Sequence, residues 1–249
     1  MEIYSLIILI AIFVATSFVG VVTGSNSLIA VPAMFQLGID PKVAVATNMF
    51  GLTFMSVGAT IPFLRKRAID VRKVSPLIVI TLVASALGAM LVGMITSAGI
   101  KLIVSIAMIA VAAFTLARRN AGIEPGDPSA WKLAAAYILT FLLGIYGGLY
   151  SGGYVTVLTT VLVVFFGMTF SESIASTKLI NVFSSLVATV VFMLQGLVDY
   201  KLGAILGAAM FAGAYAGAHY ATRLDDVWLK RIFLAAVFLL AVKTLYDFF

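Results

Sequence analysis

The sequence predicts an all-α protein that crosses a lipid bilayer several times. Of its 249 residues, 63% are hydrophobic and 10% are charged, whereas roughly a quarter of the residues in a soluble domain are charged. Apolar runs of about 17 to 25 residues, each long enough to cross the hydrocarbon core as a helix, recur along the whole chain. Runs such as "LIILIAIFVATSFVG" (6–20) are apolar on every side, unlike the alternating strands of a membrane β-barrel, so helices must satisfy the backbone.

Several other classes of protein are disfavoured by the same composition. The chain has no cysteine, which excludes disulfides, thiolate metal sites and a cysteine nucleophile. Its net charge of +6 is concentrated in a few loops, which indicates membrane topology and not nucleic-acid binding. No Gly-x-x-x-x-Gly-Lys-Ser/Thr loop is present, so an ATP-driven pump is disfavoured. We expect no metal and no cofactor.

The chain repeats itself at an offset of 129 residues without a gap. The pairs in this register include glycine, serine, aspartate and lysine: Gly24 with Gly153, Ser56 with Ser185, Asp70 with Asp199, and Lys101 with Lys230. Chance pairing in so apolar a sequence would match mainly apolar residues, whereas this single register also matches glycine, serine, aspartate and lysine. The sequence therefore predicts two homologous repeats.

Each repeat is predicted to contain a long span, a short apolar piece and three further spans. The first repeat has them at 4–23, 27–38, 42–64, 74–96 and 100–117, and the second at 133–150, 154–167, 171–194, 202–222 and 229–247. The first span lacks a basic leader and is too long for a signal peptide, so we expect it to be retained. The polar segment at 119–131 joins the first membrane repeat, 1–118, to the second, 132–249, as a cytoplasmic linker.

The distribution of basic residues favours repeats of inverted orientation. Five crossings per repeat, with the N-terminus outside, place the basic clusters at 65–73, 118–132 and 223–231 in the cytoplasm. The basic residues left elsewhere are Lys42, Lys101, Lys201, the span-embedded Lys178 and the terminal Lys243. Four crossings per repeat would leave one cluster outside. Inverted repeats are common in secondary transporters, whose sites lie near the midplane. Whether the short pieces cross the membrane or re-enter stays open, as do parallel repeats.

Glycine-rich turns precede both short pieces. A piece of 11 to 14 residues covers only roughly 16 to 21 Å as a helix, so its flanking turns must lie below the membrane surface. Non-helical backbone at that depth is tolerated when it lines a cavity. Packing between helices is the better explanation for Gly144 and Gly148. The turns predict the following candidate substrate-binding residues: Gly24, Ser25, Asn26, Ser151, Gly152, Gly153 and Tyr154.

Two segments carry a resemblance to a known family. "GSNSLIAVPAMFQLGIDPKVAVATN" (24–48) and "GLYSGGYVTVLTTVLVVFFGMTFSESIASTK" (148–178) resemble the two repeats of the TauE/SafE family of sulfite exporters and related sulfur-anion permeases. Ser25, Asn26 and Ser27 stand where that family often continues a glycine run.

The resemblance implies transport of a small sulfur anion across a prokaryotic inner membrane. The expected function is a secondary transporter, an exporter with sulfite as its first candidate substrate and a midplane site formed by broken helices. A passive anion channel, and a permease for thiosulfate or organosulfonates, remain alternatives. Proton coupling, oligomeric state, including a homodimer, and direction stay open.

Lys178 is the candidate for a charged anion-binding group. In "SESIASTKLIN" (171–181), an N-cap at Ser171 or Ser173 would place Lys178 one to two turns inside the membrane. A lysine at the bilayer centre costs about 2.5 to 3.5 kcal/mol, so it marks either a functional site or a side chain that snorkels to the surface. Thr177 and Asn181 lie beside it and join the candidate site.

Thr47 and Asn48 occupy the equivalent turn of the first repeat. Two helix N-termini, each favouring negative charge, would then approach the midplane from opposite sides, with hydroxyl and amide donors that suit an oxyanion. The alternative is that these groups only bond neighbouring helices. The acids at helix starts are expected to be caps: Asp40, Asp70, Glu172 and Asp199.

An intramembrane serine hydrolase is the rival class. It would pair Ser151 with His219, the only histidine. The turn "LYSG" lacks the first glycine of a nucleophile elbow, and no orienting acid lies near His219 in sequence. We therefore predict no catalytic residue and expect His219 to bond a neighbouring helix, although it and the helix-start acids are the only evident proton-coupling groups.

Overall fold

The computed structural model describes residues 3–24, 26–103, 106, 128–225, 227–229, 231–232 and 235. Every regular element in these residues is helical. Most of the predicted linker at 119–131 and most of the spans predicted at 100–117 and 229–247 lie outside the described residues, and α-helix already begins at Ala130 within the predicted linker. Within the described part, the prediction of an all-helical protein is confirmed.

Eight helices are described over their full length. They are α1 (Ile3–Thr23), α2 (Asn26–Gln36), α3 (Pro41–Arg65), α4 (Val71–Met94), α5 (Ala130–Leu149), α6 (Tyr154–Val164), α7 (Phe170–Leu194) and α8 (Tyr200–Ala221). Six are long and apolar enough to cross a membrane, whereas α2 and α6 have only 11 residues each. The bounds differ from the predicted ones by a few residues, and the chain is a polytopic membrane protein.

Capping side chains fix where the long helices begin. The carboxylate of Asp40 accepts from the backbone N–H groups of Lys42 and Val43, and Asp70 and Asp199 cap α4 and α8 in the same way. Burial raises the pKa of Asp40, but hydrogen bonds from Ser97 and those two N–H groups outweigh it and hold this pKa below its usual value. The prediction that these acids are caps is confirmed.

The helix that carries Lys178 begins earlier than predicted. Thr169 is its N-cap and forms a capping box with Glu172, so the prediction of an N-cap at Ser171 or Ser173 is wrong. The backbone N–H of Thr169 in turn donates to the carboxylate of Glu172, and this second bond selects Thr169 as the N-cap over the neighbouring hydroxyl residues. Lys178 is nine residues beyond the cap, roughly 13 Å along the helix, and is therefore deeper than expected.

The repeat detected in the sequence is also visible in the backbone. The bounds of α3, shifted by 129 residues, are those of α7. Positions with positive φ pair at the same offset: Gly24 with Gly153, Gly38 with Gly167, and Arg67 with Gly196. The two halves therefore share one sequence of helices and turns.

α3 and α7, which are equivalent helices of the two halves, run in opposite directions. The backbone N–H of Asp199, beyond the end of α7, donates to Thr47 near the start of α3 at 3.0 Å. Further along, the contacts are Thr53 with Thr189 at 3.3 Å and Asn181 with Ser56 at 2.7 Å. Positions that rise along α3 thus meet positions that fall along α7.

Glycine lets two pairs of helices bring their backbones into contact. A Cβ added at Gly88 on α4 would lie 1.9 Å from the carbonyl oxygen of Ile145 on α5. The equivalent position, Gly217 on α8, would place a Cβ 2.3 Å from the carbonyl oxygen of Phe18 on α1. The fourth helix of each half therefore packs against the first helix of the other half, and the packing role predicted for Gly144 and Gly148 on α5 agrees with this arrangement.

The remaining contacts fix the relative directions of the long helices. Two helices are parallel when the residue numbers of their contacts increase together along both. This holds for α1 and α8 (Val14 with Gly213, Phe18 with Gly217), α3 and α8 (Phe50 with Gly203, Phe54 with Gly207), and α4 and α5 (Ala84 with Gly144, Gly88 with Leu149). It also holds for α4 and α7 (Ser85 with Ser184, Ala89 with Gln195). Hence α1, α3 and α8 run one way, and α4, α5 and α7 run the other.

Candidate functional site

A pocket lies where the two short helices begin, between α1, α3 and α7. It contains about 320 Å³ of empty space, counting the space at its mouth. We call it the junction pocket, and its lining residues are Gly20, Gly24, Asn26, Ser27, Leu52, Met55, Ser56, Ser151, Val155, Lys178 and Asn181. Residues from both halves thus contribute to one cavity.

Hydrogen bonds join the first turns of the two short helices. The hydroxyls of Ser27 on α2 and Ser151 before α6 are 2.8 Å apart. Tyr150 donates to the carbonyl of Ser27 at 2.9 Å, and Thr156 donates to the carbonyl of Thr23 at 2.7 Å. These bonds bring the N-terminal ends of α2 and α6, where the helix dipole places partial positive charge, to the same place.

Gly24 is required by the geometry of this junction. Its φ is +70°, and a Cβ at this position would lie 2.6 Å from the backbone nitrogen of Thr156. An L-residue would meet both a disfavoured backbone conformation and a clash with the other half. Close backbone contact at the junction therefore depends on glycine.

Lys178 projects from α7 into the junction pocket and is 3% exposed. Its Nζ donates to the carbonyl of Gly20 at 2.9 Å, in the last turn of α1, where helix carbonyls carry partial negative charge. The same carbonyl accepts from the backbone N–H of Gly24 at 2.9 Å. A side chain held in this way points into the protein and does not snorkel to the membrane surface.

The lining of the junction pocket supplies no full counter-charge for Lys178. Among the described residues, the side chains that line it are neutral apart from this lysine. A buried charge without a charged partner carries a desolvation penalty that a carbonyl offsets only in part. A protonated Lys178 would therefore leave in the pocket a positive charge that an anion could balance.

Amide and hydroxyl side chains surround the lysine. Asn181 donates to Ser56 at 2.7 Å, and Asn26 donates to Ser17 at 2.8 Å. The Oδ1 atom of Asn26 is buried without a hydrogen-bond partner among the described residues. Polar groups with unused bonding capacity are thus present in the wall of the cavity.

Five of the residues predicted for the site line the junction pocket: Gly24, Asn26, Ser151, Lys178 and Asn181. Asn48 lies behind the wall and donates to the hydroxyl of Ser27 at 2.8 Å. Ser25 lies outside the described residues. The structure therefore brings together the charged group and three of the predicted turn residues, Gly24, Asn26 and Ser151.

The other predicted residues lie away from the lining. Thr47 accepts from the backbone of Asp199, and Thr177 donates to the carbonyl of Ile174 within its own helix. Gly152 accepts through its carbonyl from the hydroxyl of Tyr146, Gly153 is the N-cap of α6 with φ of +77°, and Tyr154 packs against Gly147. Gly152, Gly153 and Tyr154 belong to the turn that carries Ser151.

Sequence reasoning missed six lining residues: Gly20, Ser27, Leu52, Met55, Ser56 and Val155. Ser56 lies eight residues after Asn48 on the same helix, so a search for polar positions along that face could have found it. Gly20 acts through a backbone carbonyl, for which side-chain patterns carry no signal.

Within the described part of the chain, His219 does not form the interhelical bond that was expected. Its side chain is exposed, and its ring nitrogen is 2.8 Å from the guanidinium of Arg223, four residues further along. Ser151 pairs with Ser27. Neither residue has the partner that a nucleophilic serine requires, so a hydrolase receives no support.

Comparisons with known proteins agree with this architecture. Residues 8–244 match the family described as "Sulfite exporter TauE/SafE". A "Probable membrane transporter protein" of Haemophilus influenzae is 26% identical over 242 residues, covering 97% of this chain and 95% of the relative. "Probable membrane transporter protein ORF9" of Sinorhizobium sp is 26% identical over 238 residues (96% and 91% covered). "Probable membrane transporter protein YfcA" of Escherichia coli K12 is 25% identical over 199 residues (80% and 74% covered).

Proposed function

Because this chain belongs to the TauE/SafE family of sulfite exporters, we propose that it is a secondary transporter that exports a small sulfur oxyanion, with sulfite as the first candidate. Membership of a transporter family makes a non-enzyme the expected class. Thiosulfate and small organosulfonates are the alternative substrates, since they share negatively charged sulfur–oxygen groups. The proposed site is the junction pocket.

The observation that carries this proposal is the buried Lys178 without a carboxylate in the lining around it. An anion would supply the missing charge and accept a charge-assisted hydrogen bond from Nζ. The carbonyl of Gly20, which accepts from Nζ, is a neutral group, so a charged anion would be a stronger hydrogen-bond partner for the ammonium.

The neutral groups around Lys178 favour an oxyanion. Asn181 and Ser56 can turn their donors toward bound oxygens, and the N-terminal ends of α2 and α6 place partial positive charge near the junction. An oxyanion presents several acceptor atoms and can use these donors together with the lysine.

We also propose that the two repeats are inverted in the membrane. This is supported by the directions of the helices, because equivalent helices of the two halves run oppositely: α1 against α5, α3 against α7, and α4 against α8. A pocket between inverted repeats lies near the midplane, as a carrier requires. The charge distribution favours cytoplasmic loops at 65–73 and 223–231 and both termini outside, and the bacterial relatives favour the inner membrane.

Calorimetry on the purified protein in detergent tests the binding proposal. We expect sulfite to bind the wild type, and Lys178→Met to lower the affinity ten- to a hundredfold, about 1.5 to 3 kcal/mol, because a charge-assisted hydrogen bond is lost. Lys201→Met, at an exposed helix start, is the matched control and should bind normally. Equal affinity in the wild type and Lys178→Met, with both folded, would remove Lys178 from the site.

Flux measurements in liposomes separate a carrier from a passive channel. A carrier gives flux that saturates with sulfite concentration, whereas a channel of this kind gives flux that keeps rising. The same assay with thiosulfate and ethanesulfonate identifies the preferred substrate. Unsaturable flux would contradict the proposed mechanism and leave an anion channel.

A further inference from the structure

We propose that Lys178 also carries the coupling proton: its side chain is a neutral amine when the junction pocket is empty, gains a proton when the anion binds, and loses it when the anion leaves. Anion and proton then cross the membrane together. This inference rests on the proposed function, since it concerns the same pocket. It assigns to one residue both charge compensation and proton coupling.

The surroundings of Lys178 favour the neutral amine in the empty protein. The side chain is 3% exposed, so water screens it little. The partner that the structure gives its Nζ is the carbonyl of Gly20, whose helix end offers only a fraction of a negative charge. An ammonium group in this position lacks the full counter-charge that normally accompanies a buried lysine.

No other ionisable group in the described residues faces the junction pocket. The helices packed against α7 are α1, α3, α4, α5 and α6. The charged residues of these helices and of α7 itself lie near helix ends: Lys42, Arg65, Arg72, Lys73, Lys132 and Glu172. Proton coupling through a carboxylate or a second amine in the pocket is therefore disfavoured.

The described phenols on these helices do not line the junction pocket. Tyr150 donates to the carbonyl of Ser27, and Tyr146 donates to the carbonyl of Gly152. Tyr154 packs against Gly147, Tyr137 contacts the ring of Phe166, and Tyr4 is exposed at the start of α1.

The groups suggested for proton coupling by the sequence lie outside the pocket. His219 is exposed and bonded to Arg223, and Asp40, Asp70 and Asp199 cap helix starts. Among the described residues, Lys178 is therefore the ionisable group that can gain or lose a proton in direct response to a bound anion.

The geometry distinguishes co-transport from exchange. In exchange of an anion for a proton, the carrier would return with a protonated lysine and an empty pocket, which is the unfavourable buried ammonium. In co-transport, the amine takes one proton from water on the loading side, the anion binds to the ammonium, and the proton returns to water on the release side. Only N–H bonds form and break, and one proton accompanies each anion. Net flow then follows the product of the anion and proton concentrations on each side.

Proton uptake during binding tests the proposal. Sulfite is titrated calorimetrically at pH 8.5 into the wild type and Lys178→Arg, in buffers of different ionisation enthalpy. Arginine stays charged, and any proton taken up by sulfite itself is common to both proteins. We expect the wild type to take up about one proton more per anion than Lys178→Arg. Equal uptake would overturn the inference while leaving anion binding at Lys178 intact.

A second measurement reads the charge of the empty pocket and does not depend on the arginine variant. In protein labelled with ¹³C at lysine Cε, the Lys178 signal is assigned by its loss in Lys178→Met. We expect it to have the shift of a neutral amine at pH 9, where exposed lysines remain charged. A charged Lys178 at pH 9 without ligand would overturn the proposal. Absence of binding by sulfite, thiosulfate and ethanesulfonate would instead reject the proposed function, and this measurement would still decide the charge state.

Discussion

The side-chain amide of Asn181 on α7 donates a 2.7 Å hydrogen bond to the hydroxyl of Ser56 on α3. Both residues line the junction pocket and are almost fully buried. They are not equivalent positions of the repeat, because Asn181 corresponds to Leu52 and Ser56 to Ser185. The bond thus links the two halves through positions that are not equivalent in the repeat, and Asn181 itself has no polar counterpart.

We predict that Asn181→Ala and Ser56→Ala are coupled in their effects. Each single change leaves a buried partner unsatisfied and should cost about 1 to 3 kcal/mol of stability, whereas the double variant should cost less than the sum. Thermal unfolding of the three variants in detergent measures the coupling. Asn181→Ala should also weaken sulfite binding, but by less than Lys178→Met, since it removes a neutral donor. Fully additive losses of stability would contradict the prediction.

We predict that Gly24→Ala is much more harmful than Gly38→Ala. Both glycines have positive φ, +70° and +78°, but a Cβ at Gly38 meets nothing within 4 Å. Both changes incur about 1 to 2 kcal/mol of backbone strain, and Gly24→Ala adds roughly 1 to 3 kcal/mol for overpacking against Thr156. Melting temperatures and sulfite affinities measure the difference. Equal losses at the two positions would mean that the close contact at Gly24 is unimportant.

The contact between α4 and α5 gives another prediction. Gly88→Ala should destabilise the protein by about 1 to 3 kcal/mol, because the backbone of Ile145 cannot move aside without separating the helices. The control is Gly93→Ala on the same helix, where the nearest atoms belong to the flexible end of Gln195 at 3.2 Å. This control should be neutral or slightly stabilising, since alanine favours helix. A destabilised control with a stable Gly88→Ala would reverse the interpretation.

Topology can be tested at two equivalent positions. Arg72 and Lys201 are exposed residues at the starts of α4 and α8, one repeat apart. In inverted repeats, Arg72→Cys should react with a membrane-impermeant thiol reagent only from the cytoplasm and Lys201→Cys only from outside. The chain has no cysteine of its own, so each variant reports a single site. Labelling of both from the same side would reject the inverted arrangement.

The helices of this protein were accessible to sequence reasoning because lipid imposes simple rules on them. A span must be apolar over a fixed length, so the runs at 42–64 and 171–194 predicted α3 and α7 closely. The exact start was less certain because Thr169, Ser171 and Ser173 are all capable caps. The reciprocal bond with Glu172 selects Thr169, and this choice depends on local geometry.

The candidate site was predictable where a polar side chain stood out against an apolar span. Lys178 and Asn181 were found for this reason, whereas Asn26 was found because it lies in a turn next to Gly24. Thr47 gave the same signal but binds the backbone of Asp199, and only the crossing of α3 and α7 determines that. Gly20 contributes a carbonyl, which every residue possesses, so its role follows from tertiary packing alone.

The exchange of partners between the two halves has a consequence for biogenesis. α1 finds its glycine contacts on α8, which begins at Tyr200, so α1 is synthesised long before the helix that it packs against. α4 receives α5 after a much shorter stretch of chain. Two contacts that are equivalent in the finished protein are therefore made at very different times. Until α8 is made, the face of α1 that will meet it is exposed to lipid, and the near-absence of polar residues before Thr16 suits a helix that spends that interval in the bilayer.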